Sequence, residues 1–105
     1  MPTTRLLVNC PNAAVATELA EALLEARLVA CANIYPEITS HYVWQGARQV
    51  ETEVPLLLKT RPSLVPEVEA MVVRLHPYDV PPLVEMPLGF VHAAYDAWVE
   101  EMTSR

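Results

Sequence analysis

Cysteine is scarce in this 105-residue chain: only Cys10 and Cys31 carry thiols. One pair could close a single bridge, but nothing in the sequence suggests secretion, so both thiols are expected to be reduced. Positive charge is also in short supply. Seven Lys and Arg stand against 13 Asp and Glu, giving a net charge of −6. An acidic domain is repelled by phosphate backbones, which argues against nucleic acid as a partner. The CxxC, HExxH, GxGxxG and P-loop patterns are absent, which removes the usual readable zinc and nucleotide sites. No apolar run approaches the length of a membrane span. The opening Met-Pro-Thr-Thr-Arg lacks the layout of a signal peptide, so no membrane association and a cytoplasmic location are expected.

Apolar residues, by contrast, are abundant. They make up 52% of the chain, and charged residues only 19%. A small monomer must expose much of its surface, so this composition points to an oligomer that buries the excess. The length fits one domain, residues 1–105.

The pattern changes period along the chain. Arg5 to Cys10 reads as a short buried strand, stopped by Pro11, with Asn12 as an N-cap. Ala13 to Arg27 reads as a helix, with Ala16, Leu19, Leu23 and Ala26 at helical spacing. Between Cys31 and Trp44 the apolar residues Ile34, Ile38, Tyr42 and Trp44 share one face, which is strand periodicity. Pro36 cannot donate a ladder hydrogen bond and marks a bulge or an edge. Gln45 to Arg48 is a turn, and alternation resumes from Val50 to Lys59, completing a hairpin. Ser63 is placed to cap a second helix that carries Leu64, Val68, Met71, Val72 and Leu75 and ends before Pro77. Pro81 to Leu88 reads as an edge strand. Val91 to Met102 reads as a last helix with Val91, Tyr95, Trp98 and Met102 on one stripe.

A hairpin of this length has consequences. Strand residues rise about 3.3 Å each, so roughly 14 of them reach about 45 Å. A compact chain of this size is about 33 Å across. The hairpin must therefore bend at Pro36 or overhang, and an overhang exposes Tyr42, Val43, Trp44 and open strand edges. Pairing with another subunit resolves both. The order βαββαβ with an added C-terminal helix is an α+β, ferredoxin-like sandwich.

Five segments carry a resemblance. Leu28-Val29-Ala30-Cys31-Ala32-Asn33-Ile34 resembles an "L-x-A-C-x-N" strand entry. Tyr42-Val43-Trp44-Gln45-Gly46 resembles an aromatic hairpin tip, and Lys59-Thr60-Arg61 a strand exit. His76-Pro77-Tyr78-Asp79-Val80-Pro81 is similar to an "H-P-Y-x-x-P" loop. Tyr95 and Trp98 fit a "Y-x-x-W" helix. In this order they resemble the CutA, or divalent-ion tolerance, family. The resemblance implies a tight homotrimer whose sheets continue across subunits, tolerance to divalent cations, and binding of copper or another divalent metal. It also implies an architecture shared with the PII signalling proteins, and no enzymatic reaction. The other reading is a PII-like regulatory or scaffold trimer that takes a small anion or a partner protein, with metal incidental.

The metal positions carried over are Cys10 and His76. The family's carboxylate position is Pro82 here, and Glu85 lies three residues on as its substitute. Thiolate and imidazole suit copper and zinc. Cys10 precedes a helix N-terminus, which favours thiolate, and His76 ends a helix, which favours the protonated ring. Protonation would then compete with metal as pH falls. Against this, Cys10 reads equally as a small buried strand-end residue and His76 as a helix-terminal hydrogen-bonder. Cys31 reads as core, and His41 and His92 as surface. Tyr42, Trp44, Glu51, Glu53 and Trp98 are expected at subunit interfaces, with Lys59 paired to an interface glutamate. No catalytic residue is assigned, because a Cys10–His76 nucleophilic pair lacks a third orienting group.

Overall fold

The computed structural model describes residues 2–104. Strand β1 runs Thr4–Cys10 and helix α1 Ala13–Glu25. Asn12 caps α1, its side-chain oxygen accepting from the Val15 amide at 2.9 Å. The helix stops two residues short of the expected Arg27. Arg27 adopts φ 57°, the Leu28 amide bonds back to the Leu23 carbonyl, and the Arg27 amide bonds to the Leu24 carbonyl. This is a Schellman closure with arginine in the left-handed position that glycine usually fills.

The expected long strand divides at Tyr35–Glu37 into β2, Cys31–Ile34, and β3, Ile38–Trp44. Both pair antiparallel with β4, Ala47–Thr60. The turn between β3 and β4 is tighter than expected. Trp44 faces Ala47, and only Gln45 (φ 51°) and Gly46 (φ 79°) lie between them. Positive φ at both central residues is the turn whose twist matches the strands it joins.

Ser63 caps nothing. It lies inside a 3₁₀ turn, Pro62–Leu64, which leads into α2, Val65–Leu75, and neither start has a side-chain cap. Strand β5 is Leu83–Pro87 and, among the described residues, pairs only with β1, so it is an edge as expected. Helix α3 is Ala93–Met102.

The sheet order is β2-β4-β1-β5, with β3 continuing along β4 past the Pro36 break. This is the α+β, ferredoxin-like arrangement. One face carries the core. Leu6, Val8 and Cys10 of β1 and Val54, Leu56 and Leu58 of β4 pack against Ala16, Leu19 and Leu23 of α1 and Val68 and Val72 of α2. Alternation puts Leu7, Leu57 and Val84 on the other face, where Leu7 and Leu57 are half-buried and Val84 is exposed.

Helix α3 buries Val99, half-buries Tyr95 and Met102 of the expected stripe, and is tied down by polar contacts to its neighbours. Asp96 accepts from the Thr3 amide and hydroxyl at 2.6 and 2.7 Å, and the Thr103 carbonyl accepts from Arg61 at 2.9 Å. Trp98, on that stripe, is 40% exposed. The hairpin both bends and overhangs: the longest dimension is 45 Å against 26 and 23 Å for the others. Val43 and Val50 on the overhang are 66% and 62% exposed.

Candidate functional site

The C-terminal end of β1 meets the loop that follows α2, and four polar side chains converge there. His76 ends α2 because Pro77 follows it, and its ring is buried. Nε2 donates to the Asn9 carbonyl at 2.8 Å, while Nδ1 accepts from the Tyr78 amide at 3.1 Å. An acceptor role for Nδ1 places the proton on Nε2, so the ring is the neutral tautomer and both nitrogens are in use. The protonated ring expected at a helix C-terminus does not suit this bonding. The loop then carries Tyr78 back across the sheet end, its ring edge-on to His76 at 4.6 Å.

Tyr78 donates its hydroxyl to Glu53 at 3.0 Å, and Asn9 donates its amide to the other Glu53 oxygen at 3.4 Å. Glu53 lies on β4 opposite Ile38 and is 5% exposed. Burial, followed by the hydrogen bond and charge of Glu53, pushes the Tyr78 hydroxyl up well beyond its ordinary value. Cys10 is wholly buried in the core at the end of β1. Burial first, and the Glu53 charge second, push its thiol up to about 11. The thiolate expected from the nearby helix N-terminus is thus disfavoured: desolvation of the anion outweighs the dipole of α1.

Glu85 is placed elsewhere. It pairs with Leu6, four residues from Cys10 along β1, and accepts from the Thr4 hydroxyl at 2.8 Å. At about 3.3 Å per residue this is roughly 13 Å of strand. Among the described residues, no group of three His, Cys, Asp or Glu side chains could hold a metal ion. A closed three-ligand centre of Cys10, His76 and Glu85 therefore does not fit this geometry.

In front of Glu53 a cleft of about 590 Å³ opens between the β3–β4 hairpin and the loop after α2. Tyr42 and Trp44 line the hairpin side, and Tyr78, Asp79 and Pro82 the loop side. The residues expected at an interface are thus divided. Tyr42, Trp44 and Glu53 line the cleft, Glu51 faces Ser40 further along the hairpin, and Trp98 is on α3. Cys31 is only half-buried, and the Tyr95 hydroxyl is raised above its ordinary value by burial first and by its proximity to Cys31 second. Lys59 lies opposite Cys31 and donates to the Asn33 side chain at 3.4 Å. The Glu53–Tyr78 pair was missed by sequence reasoning. Its one trace is the Glu51–Glu53 alternation, which reads from sequence as an interface face.

The fold and the cleft define a class: a small ferredoxin-like α+β protein with an extended hairpin and a polar cleft at the end of its first strand. The sequence matches the CutA1 divalent ion tolerance protein family over residues 4–102, and the chain belongs to that family. It is 41% identical over 98 residues to the divalent-cation tolerance protein CutA of Thermus thermophilus, covering 93% of this chain and 95% of that one. It is 42% identical over 96 residues to mouse protein CutA, covering 91% of this chain. The chain spans about half, 54%, of the mouse protein's length. In structure, CutA1 from Ehrlichia chaffeensis superposes with a TM-score of 0.94 at 32% identity, over 99% of this chain and 97% of that chain. No described helix is long and apolar enough to cross a membrane. The family's description names ion tolerance rather than a reaction.

Proposed function

We propose that this chain acts as a cytoplasmic homotrimer in the response to divalent metal ions and binds copper weakly through Cys10 and His76, without Glu85. The observation that carries the metal reading is the His76 Nε2 bond to the carbonyl of Asn9, the residue next to Cys10. It brings imidazole and thiol to the same strand end. An ion entering there must break that bond and displace a proton from a thiol held up to about 11, so affinity is low and rises with pH. The same protonated, buried thiol is a poor nucleophile, which supports a non-enzymatic role.

The trimer reading is supported by the apolar Leu7, Leu57 and Val84 on the uncovered sheet face and by Val43 and Val50 on the overhang. Light scattering coupled to gel filtration measures the assembly; a monomer at micromolar concentration would overturn it. Calorimetric titration with Cu(II) tests the metal site in the parent and in Cys10→Ala, His76→Ala and Glu85→Ala. The first two substitutions are expected to weaken binding and the third to leave it unchanged. Binding indifferent to Cys10 and His76 would refute the assignment.

A second reading, a PII-like regulatory trimer that takes a small ligand, is favoured by the 590 Å³ cleft, a volume typical of small-molecule sites. Its acidic lining by Glu53 and Asp79 argues against the anion expected from sequence.

A further inference from the structure

We infer that the cleft between the hairpin and the loop after α2 is a binding site for a small organic cation, an alkylammonium, held by Glu53 and by the aromatic faces of Tyr42 and Trp44. The inference names the ligand class for the small-ligand reading above, and its ligand contacts do not include Cys10 or His76.

Glu53 is the charged anchor of the cleft. A carboxylate that is 5% exposed is costly unless it is paired or fully hydrogen-bonded. Its two donors, the Tyr78 hydroxyl and the Asn9 amide, are both neutral, and no ion pair to it is formed among the described residues. A carboxylate accepts about four hydrogen bonds, so acceptor capacity remains on the side that faces the cleft. A cation there would complete the charge balance that the chain itself leaves open.

The walls select the kind of cation. Tyr42 and Trp44 alternate on the face of β3 that also presents Ser40, and both line the cleft. Burial, then the charges of Glu51 and Glu53, raise the Tyr42 hydroxyl above its ordinary value, so this ring lies within the field of both carboxylates. Aromatic faces beside carboxylates attract cations through the ring quadrupole. Asp79 on the loop side adds a third acidic group. The volume of about 590 Å³ is far more than a bare ion requires, and no three-ligand metal cluster exists among the described residues. An ammonium head directed at Glu53, with an apolar stem along Tyr42, Trp44 and Pro82, matches both the charge and the space.

The test uses three molecules of similar shape, n-butylammonium, n-butanol and butyrate, on the full chain carrying Trp98→Phe. Among tryptophans only Trp44 then reports. At millimolar concentration n-butylammonium is expected to change Trp44 fluorescence saturably, and butanol and butyrate are not. Glu53→Gln is expected to weaken the response about tenfold or more, the size of a lost charge-assisted hydrogen bond. Should Glu53→Gln fail to fold by circular dichroism, Tyr42→Leu at an exposed position provides the second variant, with weaker binding expected from loss of the ring face. No saturable response to n-butylammonium, an equal response to butyrate, or binding unchanged in a folded variant would overturn the inference. A parallel Cu(II) titration separates the readings, since copper binding depends on Cys10 and His76 and not on the aromatic pair.

Discussion

Raising the pH should destabilise the protein through Cys10, and the effect can be isolated. The thiol is pushed up from 9.0 to about 11, by burial first and by the Glu53 charge second. A group whose folded value lies above its unfolded value contributes stability that is complete below the unfolded value and lost as pH rises through the folded one. The window is therefore pH 9 to 11. The separation corresponds to about 3 kcal/mol at ~1.36 kcal/mol per pH unit, and because the side chain is 0% exposed little of it is lost to solvent screening. Cys10→Ala removes the titration at the cost of about 1 kcal/mol of packing that does not vary with pH. The assay is urea unfolding of parent and variant at one protomer concentration, with reductant, from about pH 8 to about pH 11.5. Tyr78 is also raised and titrates in both proteins, so it cancels in the difference. Parent minus variant should hold constant below pH 9 and fall by about 2–3 kcal/mol across the window. A difference that stays flat would show that folded and unfolded thiols titrate together, and the burial argument would be wrong.

Three further outcomes are expected. Asn12→Ala removes the acceptor for the Val15 amide and should cost about 1 kcal/mol in chemical denaturation. Thr60→Val removes the donor to the Leu28 carbonyl, a buried bond of 2.7 Å, and should cost about 1–2 kcal/mol by the same measurement. Asp96 is held below its ordinary value of 3.8 by the side-chain and then the backbone hydrogen bond from Thr3. Its contribution is therefore present above the usual carboxylate range and lost as pH falls through the folded value. Thermal midpoints of Asp96→Asn should accordingly decline less steeply in acid than those of the parent.

The hairpin was legible because alternation is local: each of Ile38, Tyr42 and Trp44 declares its face by position alone. Pro36 likewise announced the break between β2 and β3, since a missing donor interrupts any ladder. The turn was read too wide, because Gly46 marks a turn but only the pairing of Trp44 with Ala47 sets its length. Ser63 misled in another way. A serine before an apolar run is a capping signal, but the flanking Pro62 and Pro66 favoured a 3₁₀ turn into α2. The stripe of Val91, Tyr95, Trp98 and Met102 does not mark the core contact of α3: Val99 is inside, Val91, Tyr95 and Met102 are half-buried, and Trp98 is exposed on the single chain. The contacts that fix it, Thr3 with Asp96 and Arg61 with the Thr103 carbonyl, join residues 93 and 42 positions apart. At the candidate site, Cys10 and His76 were visible as residue types. Their protonation states were not, because burial of Cys10 and the double bonding of His76 depend on packing from three elements.

Glu53 links the two functional readings and gives them opposite responses to one substitution. Its charge is the second cause that raises the Cys10 thiol, and it is also the carboxylate proposed to receive an organic cation. Glu53→Gln preserves the shape and an acceptor for Tyr78 while removing the charge. Thiolate at Cys10 then becomes less costly, so copper affinity at a fixed pH should rise. The rise should be modest, because burial, the larger cause, is untouched. Binding of n-butylammonium in the same variant should fall, since the attraction in the cleft depends on the charge being removed. A titration of each ligand, with circular dichroism to establish the fold, measures both. A parallel fall in the two affinities would mean that Glu53 only supports the loop bearing His76 and Tyr78, and the separation of a metal end from a cation cleft would then be refuted.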